Sequence, residues 1–244
     1  MNADAAWQNT VRETLEGGTR DDGPRPCVYA PSPMFIFRST PLVQARKTAW
    51  RNALLEFEWL LYGEGRVERL DPRVSHWWDR WAREGDVVPG VALPDPEEVV
   101  ERLRTTPHSR RNVMTTLASG PCPVPRNDFV LQTVAVRGEL ELFVYQRTAD
   151  LGRGIAHNWV QHWAFGQWLA TRTGMPFACL RWCGGVLHAY DAHAEVLRRA
   201  AAVDCGCLRT PTLTHKPSGN KFRAADFGLL GTYSPVVCDP LEYV

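Results

Sequence analysis

Between Thr48 and Tyr62 the chain reads TAWRNALLEFEWLLY. A helix built from this run has no polar face wide enough to meet solvent, so it must be covered on nearly every side. The run is long enough for about four helical turns, and Gly63 closes it. Such a helix demands a layered fold with other elements packed around it. It also carries a carboxylate, Glu56, into that interior. Burial raises a carboxyl pKa and suits the group to pass protons near neutrality. The alternative for Glu56 is a structural role, as a core carboxylate held by a hydrogen bond.

With 244 residues, 44% of them hydrophobic, the chain can bury a full core without disulfides or metal. Residues 5–16 have apolar positions near helical spacing and stop at Gly17 and Gly18. A Pro-rich loop, GPRPCVYAPSP, precedes a short strand, MFIFR, and DPRVSHWWDRWA reads as a short helix carrying aromatics. Residues 85–96 read as loop, and DPEEVVERLRTTP as an amphipathic helix with Asp95 near its start and Pro96 in its first turn. From Phe129 to Gln146 the alternation predicts two strands around a turn at Arg137-Gly138. Residues 155–173 form a Trp-rich helix, CLRWCGGVLHAY reads as a strand, HAEVLRRAAAV as a helix, and the last thirty residues as mixed loop and strand. No repeat or linker interrupts this order, so residues 1–244 are expected to form a single α+β domain.

The net charge is +1, which leaves no global field to hold the protein on nucleic acid or an anionic membrane. Phosphate recognition must then come from locally placed arginines. No apolar run approaches the roughly 18 residues of a membrane span, and the N-terminus is amphipathic rather than signal-like. Seven cysteines, an odd number, read as reduced thiols in a cytoplasmic protein. Cys205 and Cys207 form a CxC with no second pair at ligand spacing, so no metal is expected. Most of the ten tryptophans suit the core, although a cluster such as HWWDRWA also suits the wall of a pocket for a flat ligand.

A phosphate dianion needs several cations converging on it, and the planar fork of arginine gives bidentate bonds. Arg147, at a strand end inside an apolar run, is the first candidate, followed by Arg110, Arg111 and Arg25. Asn158 offers a donor and an acceptor together, which suits a base edge with a carbonyl beside an N–H. One thiol, Cys122, stands between two prolines in GPCPVPRNDFVLQ as a candidate nucleophile.

Five segments resemble the thymidylate synthase family. YQRTADLGRGIAHNW resembles its Tyr-Gln-Arg-Ser-x-Asp motif with the Gly and the base-reading Asn that follow, here Gln146, Arg147, Thr148, Asp150, Gly154 and Asn158. PLVQARKTAWRNALLEFEWLLYG matches the helix whose Glu is the general acid/base, and so implies that role for Glu56. VSHWWDRWA resembles the aromatic segment beside the base, with Trp78 and Trp81 in register. SRR at 109–111 matches the arginines that reach across a dimer to the partner's phosphate, here Arg110 and Arg111, and GGVLHAYDAH implies that His188 and Tyr190 hold the ribose. The resemblance implies a mixed sheet packed by helices, a sheet face forming a homodimer interface, a nucleoside monophosphate substrate and methylenetetrahydrofolate as one-carbon donor. Asp150 and the nucleophile column join Glu56 as the implied catalytic positions.

The resemblance breaks at the nucleophile. Counted without gaps from Gln132, the family's Cys column falls on Asn127, in Pro125-Arg126-Asn127-Asp128. An amide cannot add to a pyrimidine C6 and leave again. Cys122 lies five residues earlier, a span of roughly 17 Å if extended, among three prolines. Val186 replaces the Asp that helps hold the folate ring, and His157 replaces the apolar residue before the base-reading Asn. Three readings follow. An enzyme without a thiol suits a base carbon that is already an enamine, such as C7 of a 7-deazapurine, for decarboxylation or one-carbon transfer. The others are a folate-dependent transferase or hydroxymethylase using Cys122, and a non-catalytic nucleotide-binding relative.

Overall fold

The computed structural model describes residues 1–116 and 129–241. Cys122 and Asn127, the two claimants to the nucleophile position, lie outside the described residues. A seven-stranded sheet organises the chain, formed by β1 (Thr19–Asp21), β2 (Cys27–Pro31), β3 (Phe35–Phe37), β4 (Val113–Thr115), β5 (Phe129–Val136), β6 (Glu139–Asp150) and β7 (Phe177–Tyr190). Its order is β1-β2-β7-β6-β5-β4, with β3 also paired to β7. The β5–β6 hairpin turns at Arg137 and Gly138, whose φ angles of 54° and 84° are both left-handed. Two such residues in a row give the hairpin turn whose twist matches that of its strands.

One pair breaks the antiparallel rule. β6 and β7 run parallel, because the chain between them returns through a helix, α5 (Ile155–Thr173). The helices are α1 (Ala3–Gly17), α2 (Trp50–Tyr62), α3 (Pro72–Ser75), α4 (Pro96–Thr105), α5 and α6 (Ala194–Ala202), and β8 (Thr212–His215) with β9 (Phe227–Leu230) form a separate ribbon. The first helix is capped by Asn2, whose side chain accepts from the N–H groups of Asp4 and Ala5. Asp95 caps α4 in the same manner, with Pro96 in its first turn. The expected interior position of α2 holds. It packs on α5, which in turn lies on β6 and β7. Trp159, Trp168, Trp182, Phe37, Phe57 and Phe165 fill the space between these layers and are fully buried.

Three local expectations need correction. The Pro-rich loop contains β2, because Cys27-Val28-Tyr29 pairs with His188–Tyr190 of β7 and the prolines fall at its ends, and β1 just before it pairs with β2. The aromatic segment is not one helix. It forms a single α turn at Pro72–Ser75 and a 3₁₀ turn at Asp79–Trp81, with Trp77 and Trp78 between them. The strand expected to end at Gln146 continues to Asp150, which puts Arg147 and Thr148 inside the sheet. The sheet face away from α5 carries Phe143, half-buried, and Tyr145, 42% exposed.

Candidate active site

The parallel pairing of β6 and β7 sets the site. Register places Thr148 beside Val186 and Asp150 beside His188, so the ends of both strands deliver polar groups to one place. Close approach there needs Gly185, where a Cβ would stand 2.7 Å from the Tyr145 hydroxyl and 2.8 Å from the Arg147 carbonyl. The first turns of α5 begin at the same edge and bring in Asn158. Above them α2 supplies Glu56. Together they surround a cavity of about 430 Å³, lined among others by Arg25, Glu56, Trp78, Arg147, Asn158 and His188. That is the scale of a small-ligand site.

At the back of the cavity Glu56 is buried, 7% exposed. Its Oε1 accepts from Trp78 Nε1 and its Oε2 from Gln161 Nε2, each at 2.7 Å. Burial pushes its pKa up to about 7, against the downward pull of those two hydrogen bonds and of the Arg153 charge. A carboxyl so poised both gives and takes a proton near neutrality. Asn158 donates to Gln161 Oε1 at 3.0 Å, and its Oδ1 accepts from Gln146 Nε2 at 3.1 Å. Four polar side chains therefore run in a line from Glu56 to Gln146, in an otherwise apolar interior.

The outer walls are charged and aromatic. Thr148 Oγ1 lies 3.1 Å from His188 Nδ1. Burial holds His188 below the usual imidazole range. Although burial raises Asp150, its hydrogen bond to His193, the fields of His188 and His193, and the Gly152 N–H together hold its pKa low. Arg25 lies over the Trp81 ring at 5.6 Å, and Arg80 approaches the same ring at 4.9 Å. Trp77 stacks on His157, with centroids 5.5 Å apart. His157 Nε2 accepts from Ala49 N–H at 3.0 Å while Nδ1 donates to the Arg153 carbonyl at 2.5 Å, which fixes a neutral imidazole. Burial lowers its pKa to about 4. This is wall, not acid/base machinery.

Of the residues singled out from sequence, Arg25, Glu56, Trp78, Gln146, Arg147, Thr148, Asp150, Asn158, His188 and Tyr190 all line this one cavity. Arg110 and Arg111 do not. They are exposed in the turn before β4, at the far edge of the sheet. Reading the sequence alone passed over Arg153, His193 and, most consequentially, Gln161 as site residues. A signal for Gln161 existed: Asn158 and Gln161 stand three apart in a helix rich in tryptophan and other apolar residues, so they share a face.

Residues 7–236 match the family described as thymidylate synthase. The chain belongs to the thymidylate synthase family. A thymidylate synthase of Corynebacterium aurimucosum is 27% identical over 185 residues, which cover 67% of each chain. The thermostable thymidylate synthase A from Bacillus subtilis shares the fold, with a TM-score of 0.83 over 100% of this chain and 99% of that one, at 20% identity. The family implies folate. Trp81 and Asp150 line the cavity and offer a flat face and an acceptor, but Val186, beside the cavity and 38% exposed, has no acceptor where the family carries an Asp. The residues do not complete a folate site, and no step below passes through that cofactor.

Proposed function

We propose that the protein is an enzyme acting on a nucleoside 5′-monophosphate, at the base carbon its family modifies: C5 of a pyrimidine or the equivalent C7 of a 7-deazapurine. The observation that carries this reading is Glu56, a buried carboxyl with a pKa of about 7 facing a cavity with arginine and amide groups. In this reading Arg147, Thr148 and Arg25 take the phosphate, His188 and Tyr190 the ribose, and Asn158 the base edge. Asp150 keeps a fixed negative charge beside His188 and His193. A second copy would bring Arg110 and Arg111 to the phosphate across the sheet face that carries Phe143 and Tyr145.

The gap-free register that puts Asn127 in the nucleophile column favours a base carbon needing no thiol. C7 of a 7-carboxy-7-deazaguanine nucleotide is such a carbon. Glu56 protonates C7, the C7–carboxylate bond breaks, and CO₂ leaves while the bonding pair restores the pyrrole. Incubation with this nucleotide should give a product lighter by carbon dioxide, and Glu56→Gln should abolish it while leaving nucleotide binding intact. An unchanged substrate mass with the wild-type protein would sink the decarboxylase assignment.

The relation to thymidylate synthases carries a second reading, one-carbon transfer with Cys122 as nucleophile. It expects a covalent adduct with a 5-fluoropyrimidine nucleotide, seen by intact mass and lost in Cys122→Ser.

A further inference from the structure

Three side-chain amides, Gln161, Asn158 and Gln146, stand in a row leading away from Glu56, and none is free to turn over. Gln161 Nε2 has two hydrogens, and both are used: one on the Ala53 carbonyl at 2.9 Å, one on Glu56 Oε2 at 2.7 Å. Its Oε1 therefore faces Asn158 and accepts from Nδ2 at 3.0 Å. At the other end Gln146 Nε2 donates to the Thr148 carbonyl at 3.0 Å and to Asn158 Oδ1 at 3.1 Å, again using both hydrogens. Ala53 and Thr148 contribute backbone carbonyls, which only accept. The ends of the row are fixed, and Asn158 is fixed between them. Reversing Asn158 would set its NH₂ against the Gln146 NH₂ and its oxygen against the Gln161 oxygen. Inside the protein both mismatches are costly.

We propose that Gln161, which does not touch the cavity, is a positioning residue that sets base specificity by locking the Asn158 amide. The inference rests on the nucleotide reading above. The lock leaves Asn158 with one spare N–H on the Glu56 side and one spare lone pair on the Gln146 side. In a pyrimidine whose C5 faces Glu56, ring position 4 is the near neighbour and position 3 the next. The spare N–H then meets position 4 and the spare lone pair meets position 3. That arrangement accepts a carbonyl beside an N–H and rejects an amino group beside a bare ring nitrogen. Gln146 Oε1, buried and without a hydrogen-bond partner among the described residues, adds a second acceptor on the Gln146 side of Asn158.

The test is calorimetric binding of uridine 5′-monophosphate, cytidine 5′-monophosphate and ribose 5-phosphate to the wild type, Gln161→Met and Gln161→Glu. Wild type should favour the uridine nucleotide by about tenfold or more, the worth of one mispaired buried polar group. Gln161→Met removes the acceptor facing Asn158, so the preference should fall towards parity while ribose 5-phosphate binds as before. Gln161→Glu keeps that acceptor and should keep the preference. A full preference in Gln161→Met, or its loss in Gln161→Glu, would overturn the assignment, and the second variant decides alone if the first does not fold. Failure of the wild type to bind these three ligands and the 7-carboxy-7-deazaguanine nucleotide refutes the nucleotide reading itself, and the inference falls with it; binding of the deazaguanine nucleotide alone keeps that reading and overturns the uridine preference.

Discussion

The indole of Trp78 donates to Glu56 Oε1 at 2.7 Å, from a segment 22 residues further along the chain. The bond ties an aromatic turn to the interior of α2 and stabilises the charged form of a carboxyl that burial would otherwise keep neutral. Trp78→Phe keeps the packing and removes the donor. The Glu56 pKa should then rise further above 7, by about one unit or more, given the worth of a hydrogen bond to a charged group. The ionisation assigned to Glu56 in the pH profile of kcat/KM should move up by that amount.

The same carboxyl makes stability depend on pH. Its folded pKa of about 7 lies above the ordinary 4.5. The folded state therefore holds the proton more tightly, and the stability it contributes is complete below pH 4.5 and lost as pH rises through 7. The loss amounts to about 3 kcal/mol. Urea unfolding of the wild type and Glu56→Gln between pH 5 and 8 should show this slope in the first and its absence in the second.

His162 behaves in the opposite sense. It is fully buried between Phe57 and Phe129, both ring nitrogens lack hydrogen-bond partners among the described residues, and burial lowers its pKa to about 3. Its folded pKa lies below the ordinary 6.5, so the fold is favoured above pH 6.5 and loses stability as pH falls towards 3. His162→Leu removes two stranded polar atoms from an apolar niche. The variant should gain on the order of 1 kcal/mol at neutral pH and more at pH 5, as measured by denaturant midpoint.

Arg147→Lys exchanges a planar fork for a point charge. If Arg147 grips a phosphate, the variant should bind the nucleoside monophosphate about tenfold or more weakly while binding of the nucleoside alone hardly changes. Titration of both ligands into both proteins gives the ratio.

Exposed Arg110 and Arg111, remote from their own cavity, test the dimer. An Arg110→Ala/Arg111→Ala protein and a Glu56→Gln protein should each be impaired in turnover. Mixed under subunit exchange, they should recover about a quarter of wild-type activity, because half the dimers are mixed and each mixed dimer has one intact site. Sedimentation of the wild type at several concentrations should show the dimer directly.

The framework was legible wherever one period ran uninterrupted. Residues 155–173 read as a helix because their tryptophans recur at helical spacing, and Arg137-Gly138 read as a turn because it separates two alternating runs. Strand β2 was not legible, since Pro24, Pro26 and Pro31 mask a short strand whose partner, β7, lies some 160 residues away in sequence. Most of the cavity lining could be named from the resemblance to the thymidylate synthase family. Gln161 could not be given its role, because that role depends on the Ala53 carbonyl of another helix, and only packing of α5 on α2 brings the two together.

The parallel registration of β6 with β7 gives the site an all-or-nothing inheritance. Asp150 and His188 are neighbours only because both strands keep count from Glu141 and Cys179 onward without a slip. Losing one residue within either stretch would turn alternate side chains to the wrong face and scatter at once the groups proposed to hold phosphate, sugar and base. A change confined to a single side chain or to a loop between strands leaves that registration intact, so the groups lining the cavity can be exchanged one at a time while the frame that carries them stays the same.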